Sequence, residues 1–370
     1  MKFEKPIYVT RPIFPDLKLY TEYLEDIWES GMLSNKAKYN RMLKDVLAVH
    51  LNVDNLALFN NGTTALITAL QALHIKGKCL TTPFTFSATT HALTWNNIEP
   101  IFCDIDPYSF NINANKIEEL ITPDTTAILP VHIFGNPCDV YKIKEIADRY
   151  GLKIIYDAAH AFNVEIDGVA IGNFGDVSMF SFHPTKLFHT AEGGALTCKD
   201  ANLSKRLEYL TDFGIKDEET IIMPGINGKM NELSAAMGLC VLKEIDKHIE
   251  QRKKLTELYI ERLKDIDGIS FPKFKDNVKR SYPYMAIRLE AVNKVKDRNY
   301  LYTKLKEYNI FSRKYFYPLC SSFKWYKHLH YDVPIAETLS NEVLCLPLYG
   351  DLTENEVNQI CDIIKNIIKN

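Results

Sequence analysis

Between Asn52 and Thr197 short apolar runs recur at intervals too wide for hairpins and too regular for one long helix. LALF, KCLTTPF, PIFCDI, TAILPVHIF, LKIIYDAA, DVSMFSF and GALTC are each short, apolar and bounded by turn-forming or polar residues, so each is expected to be a strand. Amphipathic stretches such as TALITALQALH, ANKIEELI and DVYKIKEIADRYG separate several of them and carry helical spacing. Strands joined through helices of that length need crossover connections, which give a mostly parallel sheet covered on both faces. After Asn231 the pattern becomes one long helical stretch ending near Gly268. Beyond it short strands (YPYMAIRL, VLCLPLY) mix with helices (RNYLYTKLKEYN, ENEVNQICDIIKNIIK), the signature of a smaller α+β unit. The expected division is a large α/β domain over 1–245 and a small domain over 246–370.

A chain of 370 residues is long enough to bury a core in each. A net charge of −3 leaves no basic excess for a phosphate backbone, so nucleic acid is not an expected partner. The eight cysteines are scattered singly, without metal-ligand spacing to histidine, and read as reduced core thiols; no metal is expected. The opening MKFEKPIYVTRPIFPD is broken by charges and prolines, and no later apolar run is long enough to cross a membrane. The expected location is the cytoplasm, with no membrane partner.

Four strand ends carry candidate chemistry. In LFNNGTTALITAL a strand gives way to Asn-Asn-Gly-Thr-Thr and a helix, whose first backbone N–H groups, with small hydroxyl side chains beside them, make a ready site for a phosphate group. The plain alternative is that Thr63 or Thr64 is a helix cap beside a glycine turn. In LKIIYDAAHAF, Asp157 directly follows a strand, where ligands of parallel sheets gather, although a helix cap would also place an acid there. TTPFTFSATTHAL ends a strand with Phe84 and Phe86, either two core rings or one core ring and one offered to a planar cofactor. FSFHPTKLFHTAEGG sets Lys186 beyond a buried-looking strand, an unusual place for a lysine kept only for solubility. A phosphate nest, an acid, an aromatic face and a lysine are together the parts needed to hold pyridoxal 5'-phosphate, with the lysine forming a Schiff base and the acid keeping the pyridine nitrogen protonated. No G-x-G-x-x-G follows a strand, and no Walker A loop is present.

The segments NNGTTAL, TFSAT, FCDIDPYSFNIN, HIFGNP, YDAAHAF, SFHPTK, AEGGAL, GINGKMNEL, RKYFYPL and LCLPLY, in this order, resemble the DegT/DnrJ/EryC1/StrS sugar aminotransferases of fold type I. The resemblance implies that Lys186 is the Schiff-base lysine, Asp157 the partner of the pyridine nitrogen and Phe86 the ring stacked on the cofactor. Gly62, Thr63 and Ser181 match phosphate-binding positions, and Asn227 a residue reaching the phosphate of the neighbouring subunit. His160 stands where many members have glutamine, near the cofactor's phenolic oxygen. Because Lys186 is present, transamination is implied rather than the dehydration run by members with histidine there. L-Glutamate is the implied donor and a nucleotide-linked keto-deoxy sugar the acceptor. Gly228 and Lys229 in GINGKMNEL, with Arg313 and Tyr317 in RKYFYPL, resemble the members that aminate C4, pointing to dTDP-4-keto-6-deoxyhexose. Arg313 and Tyr317 are then the candidate substrate-binding residues, Arg313 as a cation for the diphosphate. A 3-keto sugar nucleotide, or a non-catalytic regulatory role, is the alternative. A homodimer with shared active sites and a place in amino-sugar supply for lipopolysaccharide O-antigen complete the expectation.

Overall fold

The computed structural model describes residues 2–290 and 297–369. Each of the seven apolar runs supplies one strand of a central sheet: β1 (Asn55–Phe59), β2 (Lys78–Thr81), β3 (Glu99–Phe102), β4 (Thr125–Leu129), β5 (Lys153–Asp157), β6 (Val177–Ser181) and β7 (Gly194–Cys198). Their order across the sheet is β1-β7-β6-β5-β4-β2-β3. Neighbours run parallel except β7, which is antiparallel to both β1 and β6.

The strands are mainly apolar on both sides because both faces of the sheet are covered. Leu56 and Leu58 of β1, Ile128 of β4, Ile154 and Tyr156 of β5 and Phe180 of β6 enter one core. The residues between them, Ala57, Phe59, Ala127, Leu129, Ile155 and Met179, enter the other. On the first face lie α1 (Leu17–Ser30), α2 (Lys38–His50), α5 (Val140–Tyr150) and α7 (Glu232–Leu242); on the second lie α3 (Gly62–Ala72), α4 (Ser87–Trp95) and α6 (Ala201–Leu210). Each fully buried leucine or isoleucine, such as Leu66 of α3 or Ile143 of α5, contributes about 1.5–3 kcal/mol by leaving water.

Two helical expectations are corrected. ANKIEELI forms two short 3₁₀ turns, Ala114–Lys116 and Glu118–Leu120. The Asn113 side chain caps the first, and Ile121 is already extended ahead of Thr122 and Pro123, leaving too few residues for a stable α-helix. The long stretch after Asn231 is not continuous but breaks at Lys243 and Glu244 into α7 and α8 (Ile245–Leu263). The break lets α7 pack on α1 and α2 while α8 packs on a different helix, α11 (Glu354–Lys369).

The remainder forms a small antiparallel sheet, β8 (Ile269–Ser270), β9 (Met285–Leu289) and β10 (Val343–Leu346), with β9 in the middle. Its helices are α9 (Arg298–Glu307), α10 (Pro334–Glu342) and the amphipathic α11. Leu255, Tyr259 and Leu263 of α8 meet Val357, Ile360 and Ile364 of α11 in its core, and Ile7 joins them because Ile7–Tyr8 pairs with Ile310–Phe311. Phe84, Phe110, Phe134, Tyr284, Phe316 and Cys345 form a further cluster between this sheet and the central one. All eight cysteines are buried and unpaired. Among the described residues no helix is long and apolar enough to cross a membrane.

Candidate active site

Parallel strands β5 and β6 end side by side at Asp157 and Ser181, and a cavity of about 380 Å³ opens there. Asp157 is buried, with Oδ2 accepting from Thr89 Oγ1 of α4 at 2.7 Å and Oδ1 from the Ala159 amide at 3.0 Å. No helix starts at Asp157, so the alternative of a helix cap is set aside. Burial pushes its carboxyl above the usual carboxylate range, while those two hydrogen bonds and the Lys186 cation pull the other way.

Lys186 enters the same cavity from the loop between β6 and β7. Nζ donates to Tyr284 Oη at 3.4 Å and lies 5.9 Å from the centre of that ring. Burial lowers its pKa below the ordinary lysine value, opposed by Tyr315 and Asp157. The amine is thereby easier to deprotonate than a surface lysine.

The phosphate-binding expectation falls at the start of α3. Asn61 is the cap, its Oδ1 accepting from the Thr64 amide at 2.8 Å, so the capping role weighed for Thr63 or Thr64 belongs to neither. The first-turn amides of Gly62 and Thr63 have no partner within the helix and face the cavity beside Ser181. Two glycines make this approach possible. A Cβ on Gly62 would sit 3.1 Å from Ser181 Cβ, and one on Gly194, the first residue of β7, would sit 2.8 Å from the Gly62 nitrogen. The second glycine of AEGG is therefore set by how closely β7 passes the α3 turn.

The two phenylalanines divide. Phe84 is fully buried, edge-on to Phe110, Phe134 and Phe316, whereas Phe86 is 55% exposed and lines the cavity. His160 lines it too, and its Nδ1 accepts from the Phe134 amide at 3.3 Å. Burial, helped by Lys186, holds its pKa well below the usual imidazole value; the ring is neutral and Nε2 carries the proton.

Arg313 lines the cavity, anchored through a backbone bridge to Cys345 of β10. Tyr317 does not: it lies outside the lining, with the Arg298 guanidinium 5.2 Å above its ring. Asn227 also stays out of its own chain's cavity. Its backbone bridges to Asp212 and its carbonyl accepts from Asn60 Nδ2 at 3.4 Å, one residue before the α3 cap.

The site gains residues that sequence reading passed over: Tyr284, Tyr315 and Phe316 from the C-terminal half, and His183 and Glu192 at the ends of the lysine loop. For Tyr284 a signal existed. Along YPYMAIRL, Met285, Ile287 and Leu289 enter the C-terminal core, so strand alternation alone places Tyr284 and Ala286 on the opposite face, toward the central sheet.

The chain is similar over nearly its whole length to known proteins. A dTDP-4-amino-4,6-dideoxy-D-glucose transaminase of Shigella dysenteriae is 43% identical over 366 residues, covering 98% of this chain and 100% of its own. The crystal structure of DesI, solved in the presence of its TDP-sugar product, superposes with a TM-score of 0.95 at 30% identity, over 99% of this chain and 94% of that one. NtdA of Bacillus subtilis, with bound cofactor PMP, gives a TM-score of 0.87 at 27% identity, over 96% and 82%. The architecture is that of fold type I. The profile of the DegT/DnrJ/EryC1/StrS aminotransferases matches residues 17–365, and with a lysine, an acid and a helix start converging on one cavity, this chain belongs to that family.

Proposed function

We propose that this aminotransferase uses pyridoxal 5'-phosphate to aminate C4 of dTDP-4-keto-6-deoxyhexose, with L-glutamate as the amino donor. The observation that carries the reading is the meeting of the Lys186 amine and the Asp157 carboxylate in one cavity beside the open amides of α3. These residues fit the cofactor. The space beside Ser181 is kept by glycine, the first-turn amides suit a phosphate, and the carboxylate is held by donors that leave it an acceptor.

Pyridoxal phosphate, when bound, supplies a carbonyl that exchanges amines and a ring that accepts electrons. Gly62, Thr63 and Ser181 would hold the phosphate, and Phe86 would offer its ring to the cofactor's. Asp157 would keep a proton on the pyridine nitrogen, and His160, whose Nδ1 is taken by the Phe134 amide, would have its Nε2–H free to donate to the cofactor as the amide of a glutamine would. Lys186 would hold the group, and its amine would move the proton at the substrate carbon, a task suited to its lowered pKa. Arg313 is the cation for the anionic ends of the substrates. The Shigella relative, similar along its whole length, supports the C4 position and the dTDP-linked substrate class.

The working unit in this reading is a homodimer. Asn227 lies off its own cavity beside exposed Phe213, Ile221, Ile222 and Ile226, an apolar edge suited to a second copy and to delivering Asn227 to the other site. A cytoplasmic enzyme supplying amino sugar for lipopolysaccharide O-antigen is the setting the reading implies; Tyr317 has a place in it only as an outer contact for substrate.

The test supplies purified protein with glutamate and a panel of dTDP-linked 4-keto and 3-keto 6-deoxysugars, with products identified by mass and NMR. Amination of the 4-keto sugars is expected; amination of 3-keto sugars alone would overturn the C4 assignment, and no amination would overturn the activity. Borohydride followed by mass mapping should place the cofactor on Lys186. Light scattering should show a dimer, with Ile221→Asp dissociating it and lowering activity together.

A further inference from the structure

The Lys186 amine is held from the far side of the cavity. Its hydrogen-bond acceptor, Tyr284 Oη, belongs to the C-terminal half, on the residue immediately before β9. That tyrosine is buried and its ring is fixed on three sides: the His160 ring lies 4.8 Å away, the Tyr315 ring 5.7 Å away and nearly perpendicular, and the Phe134 ring 5.8 Å away. The backbone behind it is pinned as well. The buried Arg252 guanidinium donates to the Pro283 carbonyl at 3.2 Å and to the Leu348 carbonyl at 3.0 Å. A lysine side chain, in contrast, has four rotatable bonds and loses rotamer freedom when ordered.

We propose that Tyr284 is a positioning residue for Lys186: its fixed hydroxyl receives the freed amine and holds it at the reacting end of the cavity between the two halves of the reaction. The inference rests on reading Lys186 as the cofactor-bearing lysine. Burial raises the Tyr284 hydroxyl well above the ordinary phenol range, so it stays protonated and its oxygen accepts from an ammonium. The other titratable groups lining the cavity with the amine are Asp157 at the end of β5, His160 after it, His183 and Glu192 on the lysine's own loop, and Tyr315 and Arg313 from the segment before Tyr317. None of them is a hydrogen-bond partner of Nζ among the described residues, which leaves Tyr284 the specific contact.

The test compares wild type with Tyr284→Phe, which keeps the ring. Both proteins, freed of cofactor, are labelled with acetic anhydride over a range of pH, and the Lys186 peptide is quantified by mass spectrometry against a free-amine standard. Losing the acceptor disfavours the ammonium, so labelling below the midpoint is expected to rise about three- to tenfold in the variant, with the high-pH plateau unchanged. In the loaded enzyme kcat is expected to fall by about tenfold with the KM for both substrates unchanged. Looser packing alone would raise the plateau and leave the midpoint in place. An unmoved midpoint or an unchanged kcat overturns the proposal. A borohydride adduct of the wild type on some other lysine would instead defeat the reading of Lys186 itself, so the two failures are distinguishable.

Discussion

Asp157 shows how one side chain is held against its own preference. Its folded pKa is raised by burial, so the stability linked to it is present below the unfolded pKa and lost as pH rises through the folded one; at neutral pH the ionised carboxylate costs stability. Asp157→Asn removes that cost and can keep both contacts, because Thr89 Oγ1 is also within 2.9 Å of Thr85 Oγ1 and can turn its proton there. The cofactor-free variant is expected to melt about 1–3 °C higher, while amination falls at least about a hundredfold because the pyridine nitrogen loses its counter-charge. A merely structural acid would give the reverse: a lower melting temperature and a rate little changed. Lys186 and Asp157 were legible in the sequence because each sits at the end of an apolar run, where a charge is out of place. Tyr284 and Tyr315 were not, since they reach the cavity only when a distant segment folds onto it, and Tyr317 shows the converse, a residue of the right segment pointing elsewhere.

Among the elements, the strands were easy to read and some helices were not, for one physical reason. A strand buried on both faces is apolar at most positions, a pattern that survives most details of its surroundings. The turns of ANKIEELI and the break between α7 and α8 depend instead on what lies beyond the segment: the extended Ile121 before Thr-Pro, and two different packing partners for the two helices. The close pass of β7 by the start of α3 is of this kind too, signalled only by a glycine pair. Gly194→Ala would force a methyl to within 2.8 Å of the Gly62 nitrogen and the Asn61 carbonyl carbon, both backbone and unable to yield cheaply. Destabilisation of about 1–3 kcal/mol is expected, with cofactor affinity weakened about tenfold or more as the phosphate-facing turn shifts. Denaturant melts and absorbance titration with cofactor check the two effects; wild-type affinity would show that the turn does not depend on this glycine.

Over the whole molecule, buried imidazoles make stability depend on pH. His132, after β4, is fully buried, accepts from the Cys138 amide through Nδ1 at 3.0 Å and stacks 4.7 Å from Tyr156; burial lowers its pKa to about 3. A depressed folded pKa means full stability above the unfolded value of about 6.5 and loss as pH falls through the window from there to about 3. At about 1.4 kcal/mol per pH unit, His132 alone removes about 2 kcal/mol by pH 5, and His160 acts in the same direction. Urea midpoints at pH 7.5 and 5.0 should therefore separate clearly in wild type and less in His132→Asn, whose amide oxygen can still accept from Cys138; equal separation would show that His132 is not responsible. The strand order carries a different consequence. β1 stands at the end of the sheet, and its strand partner is β7, made from residues far downstream. During synthesis the turn at Asn61 and Gly62 leaves the ribosome early, yet it cannot be docked until Gly194 has followed it out. The first part of the turn proposed to take the phosphate is thus among the last to be set, and on that reading a nascent chain ending before β7 should have no place to keep its cofactor.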